Sequence, residues 1–281
     1  MEKYDLLPEQ LVYEGTVSRA AFAEPPLLSE EDLLLTHTPE YWRRLRAGEL
    51  TRKEVRAIGF PLSRELLTRG RHIARGTLDC ARYALAGGGV ALNVAGGTHH
   101  SFADRGEGFC VFNDVAIAAN VLLREGEIER AVVVDLDVHQ GNGTAKLFGG
   151  EPRVYTLSFH GERNYPLRKE RSDLDVGLPD GTGDADYLDR LARELPRVLD
   201  AQRPDLVFYL SGVDVLAEDK LGRLALSPAG CRARDRLVFE TCHRRNLPVA
   251  VSMGGGYAER LATIVNAHAA TFQEARRSYG A

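Results

Sequence analysis

Five short stretches, at 90–95, 131–137, 153–160, 205–214 and 248–253, are nearly continuous runs of Val, Leu, Tyr and Ala rather than alternating ones. A strand without alternation is covered on both faces, as in a parallel sheet with helices packed on each side. The segments between them read as helices. Thr38-Pro39-Glu40 is an N-cap followed by proline at the first helical position, and Ser227-Pro228 repeats that signal ahead of a helix running to about residue 245. Further helices are expected at 114–123, 184–200 and 257–272, with Pro196 as a kink or break in the second of these. Strands alternating with helices predict one α/β domain over residues 1–281, an open, mostly parallel, doubly wound sheet flanked by helices. No low-complexity linker or internal repeat divides it.

Charge and composition narrow the function. Lys and Arg number 36 against 40 Asp and Glu, a formal net charge of −4, which argues against a nucleic-acid binder because phosphate neutralisation needs a basic surface. A small basic substrate stays open. At 44% hydrophobic and 27% charged, the chain can bury a sizeable core. No apolar run approaches the ~20 residues that span a bilayer, and Met1-Glu-Lys-Tyr-Asp lacks the layout of a secretory signal, so a cytoplasmic location without membrane attachment is expected. Cys80, Cys110, Cys231 and Cys242 are far apart, with no Cys-x-x-Cys pair, and read as reduced thiols.

In open parallel sheets, ligands bind beyond the carboxyl ends of the strands. Most of the reactive side-chain types collect there. Gly96-Gly97-Thr98-His99-His100 follows the first strand, Asp135-Leu136-Asp137-Val138-His139-Gln140-Gly141-Asn142 ends the second, Ser158-Phe159-His160 the third, Asp214 the fourth, and Gly254-Gly255-Gly256-Tyr257 follows the fifth. Asp137 and His139, two apart on a strand, leave the same face, and Asp214 from another strand end supplies a third ligand for one metal ion with an open position. An Asp at a strand end is often only a helix cap; three such ends with glycine-rich loops favour the metal. His99 and His100 would face opposite ways on a regular strand, so they act together only if the Gly96-Gly97 loop is irregular. Tyr257 reads equally as a core aromatic or as a donor delivered to the metal.

Taken together, these strings resemble the zinc-dependent histone deacetylase family of the arginase/deacetylase superfamily, from Met1 to about His268 and including His37-Thr38-Pro39-Glu40-Tyr41. The Asp-x-Asp-x-His-Gln-Gly-Asn-Gly form and Asn164-Tyr165-Pro166 look more like the small class IV type and its bacterial relatives. The resemblance implies one zinc ion held by Asp137, His139 and Asp214, with His100 as general base and acid and His99 assisting. Asp135 and Asn142 would orient the two imidazoles, and Tyr257 would donate to the oxyanion. It further implies a channel for the acyl-lysine stem lined by the Gly108 carbonyl and the Phe109 ring. A potassium-type monovalent cation site at Asp135, Asp137, His139, Ser158 and Phe159 is implied as well.

Two departures from the family pattern stand out. Family members usually carry an extra N-terminal strand and a loop before the segment that begins here at Met1, so the chain is either naturally short or starts late; and Asn142 replaces the Asp of some classes, so it cannot raise its imidazole's pKa by charge. The activity implied is removal of acetyl, or longer acyl, groups from the N6-amine of lysine in proteins or peptides. Alternatives are deacetylation of small amines such as acetylpolyamines, a catalytically inactive acyl-lysine binding scaffold and, more distantly, a binuclear manganese ureohydrolase, for which the carboxylates are too few.

Overall fold

A computed structural model of the chain describes residues 2–280. Its helices are α1 (Lys3–Tyr13), α2 (Glu30–Leu33), α3 (Pro39–Ala47), α4 (Arg52–Ile58), α5 (Arg64–Tyr83), α6 (Asp114–Glu125), α7 (Asn142–Phe148), α8 (Asp184–Gln202), α9 (Pro228–His243) and α10 (Leu261–Tyr279). Its strands are β1 (Val90–Asn93), β2 (Ala131–Asp135), β3 (Val154–Gly161), β4 (Leu174–Leu178), β5 (Leu206–Leu210) and β6 (Val249–Ser252). They form one sheet in the order β1-β6-β5-β2-β3-β4, and every neighbouring pair is parallel. The expected mostly parallel sheet is therefore parallel throughout the described residues.

Two apolar cores sit on its two faces because successive strand residues point opposite ways. Val132, Val134, Val207, Tyr209, Val249 and Val251 join Leu7 and Leu11 of α1 and the buried faces of α8, α9 and α10. Ala131, Val133, Leu206, Phe208, Leu210 and Ala250 join α3, α5 and α6 on the other side. Covered on both faces, β2 and β5 are buried at every position, which is why their sequences carry no alternation.

Several boundaries differ from the sequence reading. β2 stops at Asp135 rather than 137, because the Asp137 amide leaves the ladder and donates to Asp135 Oδ1 at 3.2 Å. β5 covers 206–210 rather than 205–214, so Asp137, His139 and Asp214 lie in loops beyond the strand ends. α10 begins at Leu261, not 257, leaving Tyr257 in a loop whose amide donates to Asp219 Oδ2 at 2.6 Å. α8 runs unbroken through Pro196; the carbonyl its missing N–H leaves open belongs to exposed Ala192.

The sequence reading did not anticipate α1, α2, α4, α5, α7 or β4. α5 carries Gly70 and Gly76 inside a weakly apolar stretch, and each glycine marks a close approach: a Cβ would stand 2.8 Å from the Phe112 ring and 3.0 Å from Asn93 Nδ2 respectively. β4 is a half-exposed edge strand without a continuous apolar run. The caps at Thr38 and Ser227 form as expected, their side chains accepting from the amides of Tyr41 and Gly230.

Candidate active site and metal centre

The strand order places β2, β5, β6 and β1 side by side, so the loops after their carboxyl ends converge. Asp137, His139 and Asp214 each bring one ligand atom to within 4.8 Å of the others, and all three are buried. His139 Nδ1 lies 3.0 Å from Asp137 Oδ1 and 3.2 Å from Asp214 Oδ2. The remaining oxygens are held by backbone: Gly255 N–H donates to Asp137 Oδ2 at 2.6 Å and Val138 N–H to Asp214 Oδ1 at 3.0 Å. Asp214 Oδ2, fully buried, has no hydrogen-bond partner. Burial and then the neighbouring Asp137 charge push the Asp214 carboxyl up from the usual carboxylate range. Two buried carboxylates, one imidazole and an unpartnered oxygen form a donor set that fits a divalent cation. Gly255 is required there, because a Cβ would stand 1.8 Å from Asp214 Oδ2.

The loop after β1 carries the paired histidines. Gly96 and Gly97 take φ of 90° and 73°, the left-handed region that breaks strand geometry, so both rings turn to one side with centroids 4.1 Å apart. His99 Nδ1 lies 2.6 Å from Asp135 Oδ2, and His100 Nδ1 lies 2.7 Å from Asn142 Oδ1, at the start of α7. Burial opposes charge on both rings. At His99 the Asp135 carboxylate outweighs it and lifts the imidazole to about 9, whereas His100, beside a charged His99, falls well below 6.5. Adjacent rings are thus poised as one charged and one neutral group. The His100 ring stands 6.0 Å from that of His139.

Aromatic rings gather beside the histidines. Gly108 and Phe109 have φ of 57° and 66°, and their amides are pinned to the carbonyls of Ala57 and Ile58 at 2.9 and 2.8 Å. Phe109 is 45% exposed and stands 6.0 Å from the Tyr257 ring; Tyr165 meets His100 edge-on at 5.0 Å. The Tyr257 ring is 6.5 Å from that of His139. Burial, then the Asp214 and Asp137 charges, hold its hydroxyl protonated far above the ordinary tyrosine range. Ser158 pairs with Asp135 in the β2–β3 register, and Phe159 follows it, fully buried, so the residues singled out for a monovalent cation share that sheet end.

The sequence reading missed the supports of this centre. Buried Asp114, opening α6, fixes the histidine loop by accepting from Thr98 N, Thr98 Oγ1 and Gly97 N at 2.7, 2.6 and 3.2 Å. Asp219 pins Tyr257, Glu107 accepts from Asn142 Nδ2 at 2.6 Å, and Arg234 donates to the carbonyls of Leu136 and Gly212. Only an acidic residue opening a helix, at Asp114, is a local signal; the others arise from tertiary closure.

An all-parallel sheet whose strand ends gather an Asp-His-Asp group and paired histidines is the architecture of a metal-dependent amide hydrolase. The histone deacetylase domain matches residues 1–272. The chain is 43% identical over 279 residues to an uncharacterized protein of Picosynechococcus sp., covering 99% of this chain and 93% of the relative. It is 33% identical over 264 residues to histone deacetylase 2 of Arabidopsis thaliana, covering 91% of this chain and 68% of the relative. Among solved structures, an HDAC homolog from Aquifex aeolicus superposes with a TM-score of 0.80 at 22% identity, covering 98% of this chain and 82% of that one. The chain belongs to the histone deacetylase family, whose members are metal-dependent deacetylases and amidohydrolases. No helix among the described residues is long and apolar enough to cross a membrane.

Proposed function

We propose that this protein hydrolyses the amide of N6-acyl-lysine in proteins or peptides, removing acetyl or longer acyl groups, with one zinc ion held by Asp137, His139 and Asp214. The observation that carries this reading is the placement of two buried histidines, one held by the Asp135 carboxylate and one by the Asn142 amide, beside the Asp-His-Asp group and next to the Tyr165, Tyr257 and Phe109 rings. Zinc bound there would lower the pKa of a water toward about 7 and polarise the acyl carbonyl.

The chain's own residues supply the rest. Asn142 Oδ1 accepts from His100 Nδ1, which leaves the His100 Nε2 lone pair free. Nε2 takes the proton of the attacking water and returns it to the leaving amine, a role worth about 10²–10⁴-fold in rate. His99, kept charged by Asp135, adds positive charge where the tetrahedral oxyanion develops. Tyr257, protonated at every working pH, donates its hydroxyl to that oxygen. The Gly108–Phe109 wall receives the four-carbon stem, excludes water and directs the amide inward. The monovalent cation at Asp135, Asp137, His139, Ser158 and Phe159 belongs to the same reading as a structural ion.

A kinetic comparison of acetyl-lysine peptide, long-chain acyl-lysine peptide and an acetylated polyamine tests the substrate class, with chelator and zinc-restored controls. The acyl-lysine peptides are expected to be the better substrates; a large preference for the polyamine overturns the protein-lysine reading. His100→Ala is expected to abolish nearly all turnover while zinc stays bound, and undiminished activity would refute the mechanism.

A further inference from the structure

Asn142 is bonded at both ends of its amide. Its Oδ1 meets His100 Nδ1 at 2.7 Å, and its Nδ2 donates to Glu107 Oε1 at 2.6 Å. A carboxylate only accepts, so Glu107 takes the NH2 end and turns the oxygen toward His100. His100 Nδ1 must then carry the ring proton, and Nε2 keeps its lone pair. Without Glu107 the amide can rotate, present NH2 to Nδ1 and select the opposite tautomer, in which Nε2 bears the proton and cannot accept one.

Glu107 is firmly placed. Its carbonyl accepts from Cys110 N at 2.9 Å, and the next amide, of Gly108, is pinned to Ala57. Its side chain is only one-fifth exposed, and the carboxylate also faces the Tyr165 hydroxyl. The segment that walls the channel at Gly108 and Phe109 thus also aims a carboxylate at the partner of His100.

We propose that Glu107 is a positioning residue of the hydrolysis: acting through Asn142, it sets the tautomer of His100, a task an aspartate at position 142 would perform alone. This rests on the reading of His100 as the general base. The tautomer itself can be read without any turnover, which separates the two.

In zinc-loaded protein, Glu107→Ala is expected to lower kcat by about 10- to 100-fold, the usual effect of removing a residue that orients a ligand or base, with KM nearly unchanged. Glu107→Gln, whose Oε1 still accepts from Asn142, keeps most of kcat. Asn142→Asp should be harmful in the wild-type background, where it faces Glu107, and restorative in the Glu107→Ala background, where an acceptor-only side chain meets Nδ1 unopposed. Imidazole 15N shifts of His100 should report Nδ1–H in the wild type and a tautomer mixture in Glu107→Ala. An unchanged tautomer in Glu107→Ala overturns the inference, as does failure of Asn142→Asp to restore it. A changed tautomer with unchanged kcat supports the positioning and instead overturns His100 as the base.

Discussion

Arg234 and Asp235 stand side by side on α9 with both side chains fully buried, Nη2 of the one 2.8 Å from Oδ1 of the other. The guanidinium reaches past its partner to the backbone beneath the metal centre, where Nη1 donates to the carbonyls of Leu136 and Gly212 at 3.3 and 2.5 Å. Those residues lie one before Asp137 and two before Asp214. Asp235 is in turn bonded by Tyr209 and Thr271, which ties β5 and α10 into the same network. Breaking one member of a buried pair leaves the other charge uncompensated. Arg234→Met is expected to lower stability by about 3–5 kcal/mol in urea unfolding. It should also weaken zinc retention against a competing chelator. Wild-type stability in the variant would show the pair to be dispensable.

Acid sensitivity follows from His37, a buried ring that is no part of the Asp-His-Asp group. Its Nε2 accepts from the Asn113 amide at 3.1 Å, so the ring must be neutral, and burial pushes its pKa down to about 4 against an ordinary 6.5. The sign is that of a depressed histidine: between pH 6.5 and 4 the unfolded chain binds the proton and the folded chain does not, so stability falls as pH falls through that window. At 1.36 kcal/mol per pH unit the loss from this group reaches about 3 kcal/mol by pH 4. Urea unfolding from pH 7 to pH 4 should show that decline, and His37→Gln should flatten it. Equal slopes in the two proteins would assign the effect to other groups.

Those two supports also mark what could be read from the chain alone. β2, β5 and β6 were legible because central parallel strands must be apolar on both faces, and Asp137, His139, Asp214 and Tyr257 were legible because they follow such strands, while His99 and His100 follow the apolar edge strand β1. α5 and β4 were not, since close approach at Gly76 and half-exposure at an edge both dilute the hydrophobic pattern. Glu107 and Arg234 reach their partners across 35 and 98 positions, and nothing local announces either contact. The strand end at Asp135 was misplaced because a side-chain acceptor, not composition, stops the ladder.

Phe109 should govern binding rather than chemistry. It holds a left-handed backbone, 45% exposed, with Phe60 5.3 Å away and Tyr257 6.0 Å away. Under the proposed function the ring would contact the acyl-lysine stem and none of the reacting atoms. Phe109→Ala is expected to raise KM for an acetyl-lysine peptide roughly 10-fold, about 1.4 kcal/mol, with kcat changed much less. A fall in kcat at constant KM would place the ring in the chemical step instead.

Asp214 should matter to stability chiefly through the metal. Without an ion its carboxyl is fully buried between Asp137 and His139, whose Nδ1 lies 3.2 Å from Oδ2, and its pKa is raised by burial and then by the Asp137 charge. Asp214→Asn removes the like charge and the His139 attraction together, while its Oδ1 can still accept from Val138 N, so in chelator the variant should unfold near the wild-type temperature. Zinc separates the two, because a ligand that binds only the folded state adds about 2.7 kcal/mol at a hundredfold excess over its Kd, and the variant has lost a ligand oxygen. Thermal unfolding of both proteins, with chelator and with added zinc, reads the difference. If zinc raises the midpoint of Asp214→Asn as far as that of the wild type, Asp214 does not hold the ion.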